Sequence, residues 1–211
     1  MTTRVAAEAT REERVRYDGL EMSLHWATAV LVVALYLLAQ VWSFLQRGTP
    51  LRHGLQALHV SLGLLLAAAL VTRIVWRLGP GRRVPPATTG LMERASTLVH
   101  YALYGLLIAV VVLGLGFRWA QGEPLALFGL FSIPSPYPFV KAQARTIGQI
   151  HNWVGTTIVI LAGFHAAAAL FHHFVLHDNV LWRMLPGIRA RNAVTNAPDA
   201  RSVSVKPDSW R

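Results

Sequence analysis

Four stretches of the chain contain no Asp, Glu, Lys or Arg: Met22–Gln46, His53–Thr72, Ala95–Phe117 and Thr146–His177. Crossing the hydrocarbon core of a bilayer takes about 20 apolar residues in a helix, and each stretch supplies that length. A soluble helical bundle would need a polar face on every helix, and segments such as Leu62–Val71 and Leu106–Gly116 have none. Only 14% of the 211 residues are charged, against about 25% in a typical soluble domain. The expected fold is all-α: an integral membrane four-helix bundle with spans at about 20–42, 53–76, 91–117 and 146–177.

The net charge of +10 is unevenly distributed. With four spans, both tails and the loop between spans two and three share one side, which carries 15 basic residues, including Arg73, Arg77, Arg82, Arg83 and Arg94. The opposite side carries five: Arg47, Arg52, Arg118, Lys141 and Arg145. The positive-inside rule then puts both termini in the cytoplasm. Residues 1–19 read as a cytoplasmic N-terminal arm, 20–187 as the four-span domain, and 188–211 as a cytoplasmic C-terminal tail. The basic excess does not read as nucleic-acid binding, because no basic run is interleaved with aromatics in a folded domain. The first apolar run is too long for the core of a cleaved signal peptide and is expected to remain as a span.

Between the spans, Gly79-Pro80-Gly81 and Pro85-Pro86 exclude a helix from the second connection. The longest outer connection, from Arg118 to Arg145, holds a short apolar segment, Leu125–Phe131, and then Pro134, Pro136 and Pro138. That segment is expected to lie along the outer membrane interface and cover the end of the bundle. Trp42 and Phe44 stand where an interfacial aromatic belt belongs. Arg73 and Arg77 close the inner end of span two, where they can snorkel to lipid phosphates or meet an anionic cofactor group.

Ionisable residues inside spans are costly and mark function. Five histidines lie within the apolar stretches: His25, His59, His100, His151 and His165. His151 and His165 are 14 residues apart on one span, which in a helix is about 21 Å of rise and within about 40° of the same face. Topology puts His59 and His151 near the outer side, and His25, His100 and His165 near the inner side. Heme iron takes an axial imidazole on each face, and bundle cofactors are held from facing helices. The pattern therefore points to two hemes, an outer one between His59 and His151 and an inner one between His165 and either His25 or His100.

Gly63 and Gly155, each four residues after a histidine, and Gly163 beside His165 would leave flat helix surface for a porphyrin. A tetrahedral zinc or copper site would gather its ligands at one depth. A proton relay would want Asp or Glu inside the spans, and none is expected there. With no cysteine in the chain, iron–sulfur ligation and covalent c-type attachment are excluded. His172, His173 and His177 read as interfacial polar residues, or as groups for proton uptake or quinone contact; His53 reads as an interfacial loop residue.

Ser23-Leu24-His25-Trp26, Leu58-His59-Val60-Ser61-Leu62-Gly63, and His165 through His173 followed by Asp178-Asn179-Val180-Leu181-Trp182-Arg183-Met184-Leu185-Pro186 resemble the bacterial cytochrome b561 family over about residues 17–187. The resemblance implies two noncovalent b hemes, with His25 and His165 as axial ligands of the inner heme iron and His59 and His151 of the outer. It leaves His100 near the inner heme but not a ligand. It implies transmembrane electron transfer in the inner membrane of a bacterium, between the quinone pool and a periplasmic redox partner. Some family members are superoxide oxidases that reduce ubiquinone. The expectation is therefore a superoxide:ubiquinone oxidoreductase, or else an electron-transfer subunit without substrate chemistry of its own. Arg118, Lys141 and Arg145 near the outer heme would form a cationic mouth that steers superoxide, or serve as ordinary interfacial anchors.

Overall fold

The computed structural model describes residues 16–81, 84–136, 141–178 and 180–185. Several features named above lie outside the described residues: the arm before residue 16, Arg82, Arg83, Pro138, the side chain of Lys141, Asn179, and everything after Leu185, including the 188–211 tail. Among the described residues four helices are long and apolar enough to cross a membrane: α1 (Gly19–Ser43), α2 (Pro50–Leu78), α3 (Leu91–Ala120) and α4 (Lys141–Phe174). They run up and down as a bundle.

The helices extend past most of the charge-free stretches because their ends are set by capping rather than by charge. Asp18 caps α1 by accepting from the Glu21 N–H at 2.8 Å. Thr49 caps α2 by accepting from the Arg52 N–H at 3.4 Å, and Pro50 follows at the first turn, where its missing N–H leaves no bond unmade. Arg52 in turn donates to the carbonyls of Trp42 and Leu45, both at 2.7 Å. It thereby satisfies acceptors that the end of α1 leaves open. α4 begins at Lys141, ahead of the expected Thr146, and stops at Phe174, short of the expected His177. His177 takes a positive φ of 54°, a conformation that ends helices.

α1 packs extensively on α2, and α3 on α4, whereas contacts between these two pairs are far sparser. A compact core fills mid-bundle, with Leu35, Leu66, Leu70, Leu107 and Ile158 buried. These positions follow a layer pattern. On α4, Ile158 is seven residues from both His151 and His165; on α2, Leu66 is seven from both His59 and Arg73; on α3, Leu107 is seven from both His100 and Gly114. Seven residues are nearly two full turns, so each helix presents an outer, a middle and an inner position on one face. The apolar layer lies between two histidine layers. The outward surface is apolar as well, with Val30, Val33, Val71, Leu98, Val112, Ile160 and Phe164 exposed, which suits a lipid surround.

The outer connection holds a small departure from the all-α expectation. Leu125–Leu127 (β1) and Phe131–Ile133 (β2) pair antiparallel as a hairpin. Its turn places Phe128 at φ 48° and Gly129 at φ 73°. Those two positive φ values are the mirror-image turn that suits a twisted hairpin. Ser61, 2% exposed on α2, fixes the hairpin in place. Its hydroxyl accepts from the Phe128 N–H at 2.8 Å and lies 3.2 Å from the Ala126 carbonyl. With Leu125 buried and β1 resting on α2 and α3, the hairpin covers part of the bundle on the side of His59.

At the opposite end a 3-10 turn, Leu181–Met184, folds back under the bundle. Trp26 Nε1 donates to the Met184 carbonyl at 2.8 Å, and Arg16 Nη2 to the Leu185 carbonyl at 2.6 Å. Arg183 reaches the Pro85 carbonyl of the α2–α3 connection at 2.8 Å. Both ends of the described chain and this connection therefore share one side of the bundle.

Ser61→Ala is expected to leave the Phe128 N–H without its acceptor and to destabilise the protein by about 1–3 kcal/mol, read as a lowered melting temperature in detergent. An unchanged melting temperature would mean that the hairpin is not held through Ser61.

Candidate functional site: two histidine pairs

The sparse contact between the α1–α2 and α3–α4 pairs is bridged at two levels by histidines. His59 of α2 faces His151 of α4 with ring centroids 6.3 Å apart. His25 of α1 faces His165 of α4 with centroids 6.4 Å apart. Two imidazoles on opposite faces of one metal, with metal–nitrogen bonds of about 2.05 Å and ring nitrogens about 1.15 Å from the centroid, put their centroids about 6.4 Å apart. Both pairs stand at that spacing. His100 also reaches the inner layer, where its ring is 5.2 Å from that of His165, closer than the spacing within either opposed pair. Among the described residues no group of three or more His, Asp or Glu is arranged to hold a metal ion. The donors come as opposed pairs, the arrangement that a planar macrocycle with two axial sites requires.

The second ring nitrogens show how the rings are oriented. His59 Nδ1 donates to the Leu35 carbonyl at 3.1 Å, and His151 Nδ1 to the Val110 carbonyl at 3.0 Å. A carbonyl only accepts, so both Nδ1 atoms carry the proton and both Nε2 atoms keep a free lone pair for a metal. These carbonyls sit within helices, and each uses its second lone pair. Trp42 packs edge-on against His59 with centroids 4.9 Å apart. A Cβ on Gly114 would lie 3.0 Å from His151 Cε1, so only glycine at this position lets α3 approach the ring. A Cβ on Gly63 or Gly155 would meet nothing within 4 Å, although both positions are half-buried. One turn from each outer histidine there is thus open space of the kind a porphyrin would fill. Heme b fits the residues present.

The inner layer is electrostatically different. Arg73, 9% exposed, donates from Nη2 to His25 Nδ1 at 3.1 Å, and its guanidinium lies over the Tyr104 ring, 5.2 Å from the centroid. It does not snorkel. Arg77, half exposed, pairs instead with Glu21 at 2.9 Å. Glu21 is a correction to the expectation that the spans hold no carboxylate: it lies in α1 and is 2% exposed. Its position just before the first charge-free stretch hid it, although Glu21 and His25 are one helical turn apart. Trp76 Nε1 donates to Asp18 Oδ2 at 3.0 Å, tying the ends of α1 and α2 together.

His172, seven residues beyond His165, is hydrogen-bonded to Asp178. Burial acts to raise the Asp178 carboxyl, but the bonds from His172 and the Val180 N–H outweigh it and hold the group below the usual carboxylate range. His173 packs edge-on against Trp182 of the 3-10 turn.

At the outer end Arg118 closes α3 and Arg145 lies in the first turns of α4. These two helix ends meet closely, since a Cβ on Gly148 would fall 2.7 Å from the Phe117 ring. Arg145 is exposed. Arg118 lies 3.5 Å from the Glu123 carboxylate, so part of its charge is compensated.

A profile of prokaryotic cytochrome b561 matches residues 16–187. The chain is 33% identical over 171 residues to "Cytochrome b561 homolog 2" of Escherichia coli K12, covering 81% of this chain and 91% of that one. It is 27% identical over 172 residues to "Probable superoxide oxidase CybB" of Yersinia pestis, covering 81% and 96%. It is 30% identical over 174 residues to "Cytochrome b562" of Cereibacter sphaeroides, covering 80% and 94%. With four membrane-length helices and a family match that spans all of them, the chain belongs to the prokaryotic cytochrome b561 family and serves transmembrane electron transfer.

Proposed function

We propose that this protein oxidises superoxide at the periplasmic face of the bacterial inner membrane and reduces ubiquinone, passing electrons through two b hemes. His59 and His151 hold the outer heme, and His25 and His165 the inner; both termini lie in the cytoplasm. The observation that carries the reading is the presence of two histidine pairs, each at the spacing of opposed axial ligands, at two levels of one bundle. Bound b heme supplies one-electron iron redox chemistry. Two superoxide anions released as dioxygen yield two electrons, and these with two protons convert one ubiquinone to ubiquinol.

The residues of the chain do the rest. Leu35 and Val110 orient the outer imidazoles through their carbonyls. The apolar layer of Leu66, Leu107 and Ile158 keeps water out between the two levels. Arg145, Lys141 and the partly compensated Arg118 give the outer end a positive potential, which raises the local concentration of a small anion. The printed name of the Yersinia relative supports the choice of superoxide.

His25→Ala and His165→Ala are expected to lose one and the same heme, and His59→Ala and His151→Ala the other, read as a fall in heme b per polypeptide from two to one with the same α-band component missing within each pair. His100→Ala keeps both; loss of a whole heme from it would overturn the inner assignment.

In stopped-flow mixing of quinone-loaded protein with superoxide, Lys141→Gln/Arg145→Gln is expected to slow heme reduction several-fold at low ionic strength, the difference from wild type closing as salt screens the field. Slow reduction of the wild type, insensitive to these charges, would instead make the protein an electron-transfer subunit for a periplasmic redox partner.

A further inference from the structure

Arg73 is a cation inside a membrane-spanning helix, nine-tenths buried, with no carboxylate bonded to it among the described residues. The nearby Glu21 is engaged by Arg77. Among the described residues Arg73 Nε is buried without a hydrogen-bond partner, and so is Tyr104 Oη, which belongs to the ring over which the guanidinium lies. Two orphaned donors side by side in a low-dielectric interior are expensive unless an acceptor reaches them, and for the guanidinium that acceptor has to be anionic.

The hydrogen-bond partner that Arg73 has among the described residues sharpens the point. Arginine can only donate, so its contact with His25 requires Nδ1 to be an acceptor. A neutral imidazole that ligates iron through Nε2 carries its proton on Nδ1 and cannot accept. His25 as an axial ligand therefore releases Arg73 toward another acceptor. Position supplies the candidate. Arg73 is two heptads from His59 on α2, as His165 is two heptads from His151 on α4, so Arg73 lies in the layer of the inner pair. A heme b held by the inner pair would carry two carboxylates, its propionates, as candidate acceptors.

We infer that Arg73 and Tyr104 form the anion-binding clamp for a propionate of the inner heme. This rests on the two-heme reading above. The guanidinium supplies the charge and Tyr104 the second donor, while Arg77–Glu21 closes the same end of the bundle without competing for the propionate. At the outer end Arg118 Nε and Trp119 Nε1 are likewise buried without a hydrogen-bond partner among the described residues, but Arg118 has the Glu123 carboxylate beside it, and the ring partners of His59 and His151 are neutral carbonyls.

The test combines a redox titration with resonance Raman spectroscopy of the purified holoprotein, poised so that the two hemes are read separately. Arg73→Gln is expected to retain two bis-imidazole hemes and to shift the propionate bending band of the inner heme alone. It is also expected to disfavour that heme's reduced form about tenfold, which for a one-electron couple is 59 mV. Arg73→Lys should keep most of the potential and lose the bidentate band position. Tyr104→Phe should move the band with little change in potential, since no charge is removed. If Arg73→Gln does not assemble, these two milder variants decide the matter.

A propionate band unchanged in all variants that assemble overturns the clamp, whatever the potential does, because Arg73 would then act only on His25. Heme absent from the wild-type protein is a different failure: it removes the two-heme reading itself.

Discussion

An imidazole placed in hydrocarbon has to find partners for both of its nitrogens, and much of this bundle is arranged around that requirement. Water is not available to rescue an unmatched ring atom there. At the outer level the solution is local and neutral. His59 and His151 each turn Nδ1 onto the carbonyl of a neighbouring helix, which fixes the tautomer and leaves Nε2 with a free lone pair. That choice has consequences at a distance. Val110 can offer its carbonyl to His151 only if α3 and α4 lie close, and Gly114, one turn on, is what permits the approach. The tight α1–α2 and α3–α4 packing, and the looser contact between the two pairs, fit the same arrangement.

The seven-residue layering then makes the two levels equivalent in geometry while leaving them different in chemistry. A straight helix turns by about 20° per heptad away from perfect alignment, little enough for His151, Ile158 and His165 to share one face. The same step on α2 and α3 brings Leu66 and Leu107 against Ile158. A dry apolar layer about 10 Å from each histidine level is thus a product of spacing alone. It separates two sites whose surroundings are set by the residues that end each heptad: His59 and Gly114 on one side, Arg73 and His100 on the other.

The fold was legible because charge is absent from the spans, and in hydrocarbon that absence is nearly sufficient to specify a helix. The histidine pairs were legible for the same reason: a polar residue in such a stretch stands out, and topology assigns its depth. What the sequence hid was governed by contacts between helices. It left His25 and His100 open beside His165, because depth does not report ring separation; the two rings stand 6.4 Å and 5.2 Å from that of His165. Arg73 sits near the end of a span and reads as an interfacial anchor, yet it folds inward over Tyr104. Glu21 escaped because it precedes the charge-free stretch, while Asp18 starts α1 early enough to bury it. The hairpin was invisible because a three-residue strand carries almost no periodicity. Its register is set by Ser61 from another element.

The two levels also differ electrostatically. Around the outer pair the hydrogen-bond partners are neutral, and the cation nearest the α3 end, Arg118, has Glu123 beside it. Around the inner pair stand Arg73, buried, and Arg77, whose charge is offset by Glu21. A buried cation stabilises an electron placed close to it, and low dielectric strengthens the effect. If Arg73 is matched to a propionate, it cancels a negative charge that would otherwise oppose reduction, so the sign of the effect is the same. The asymmetry therefore favours negative charge at the level of His25 and His165 over the level of His59 and His151.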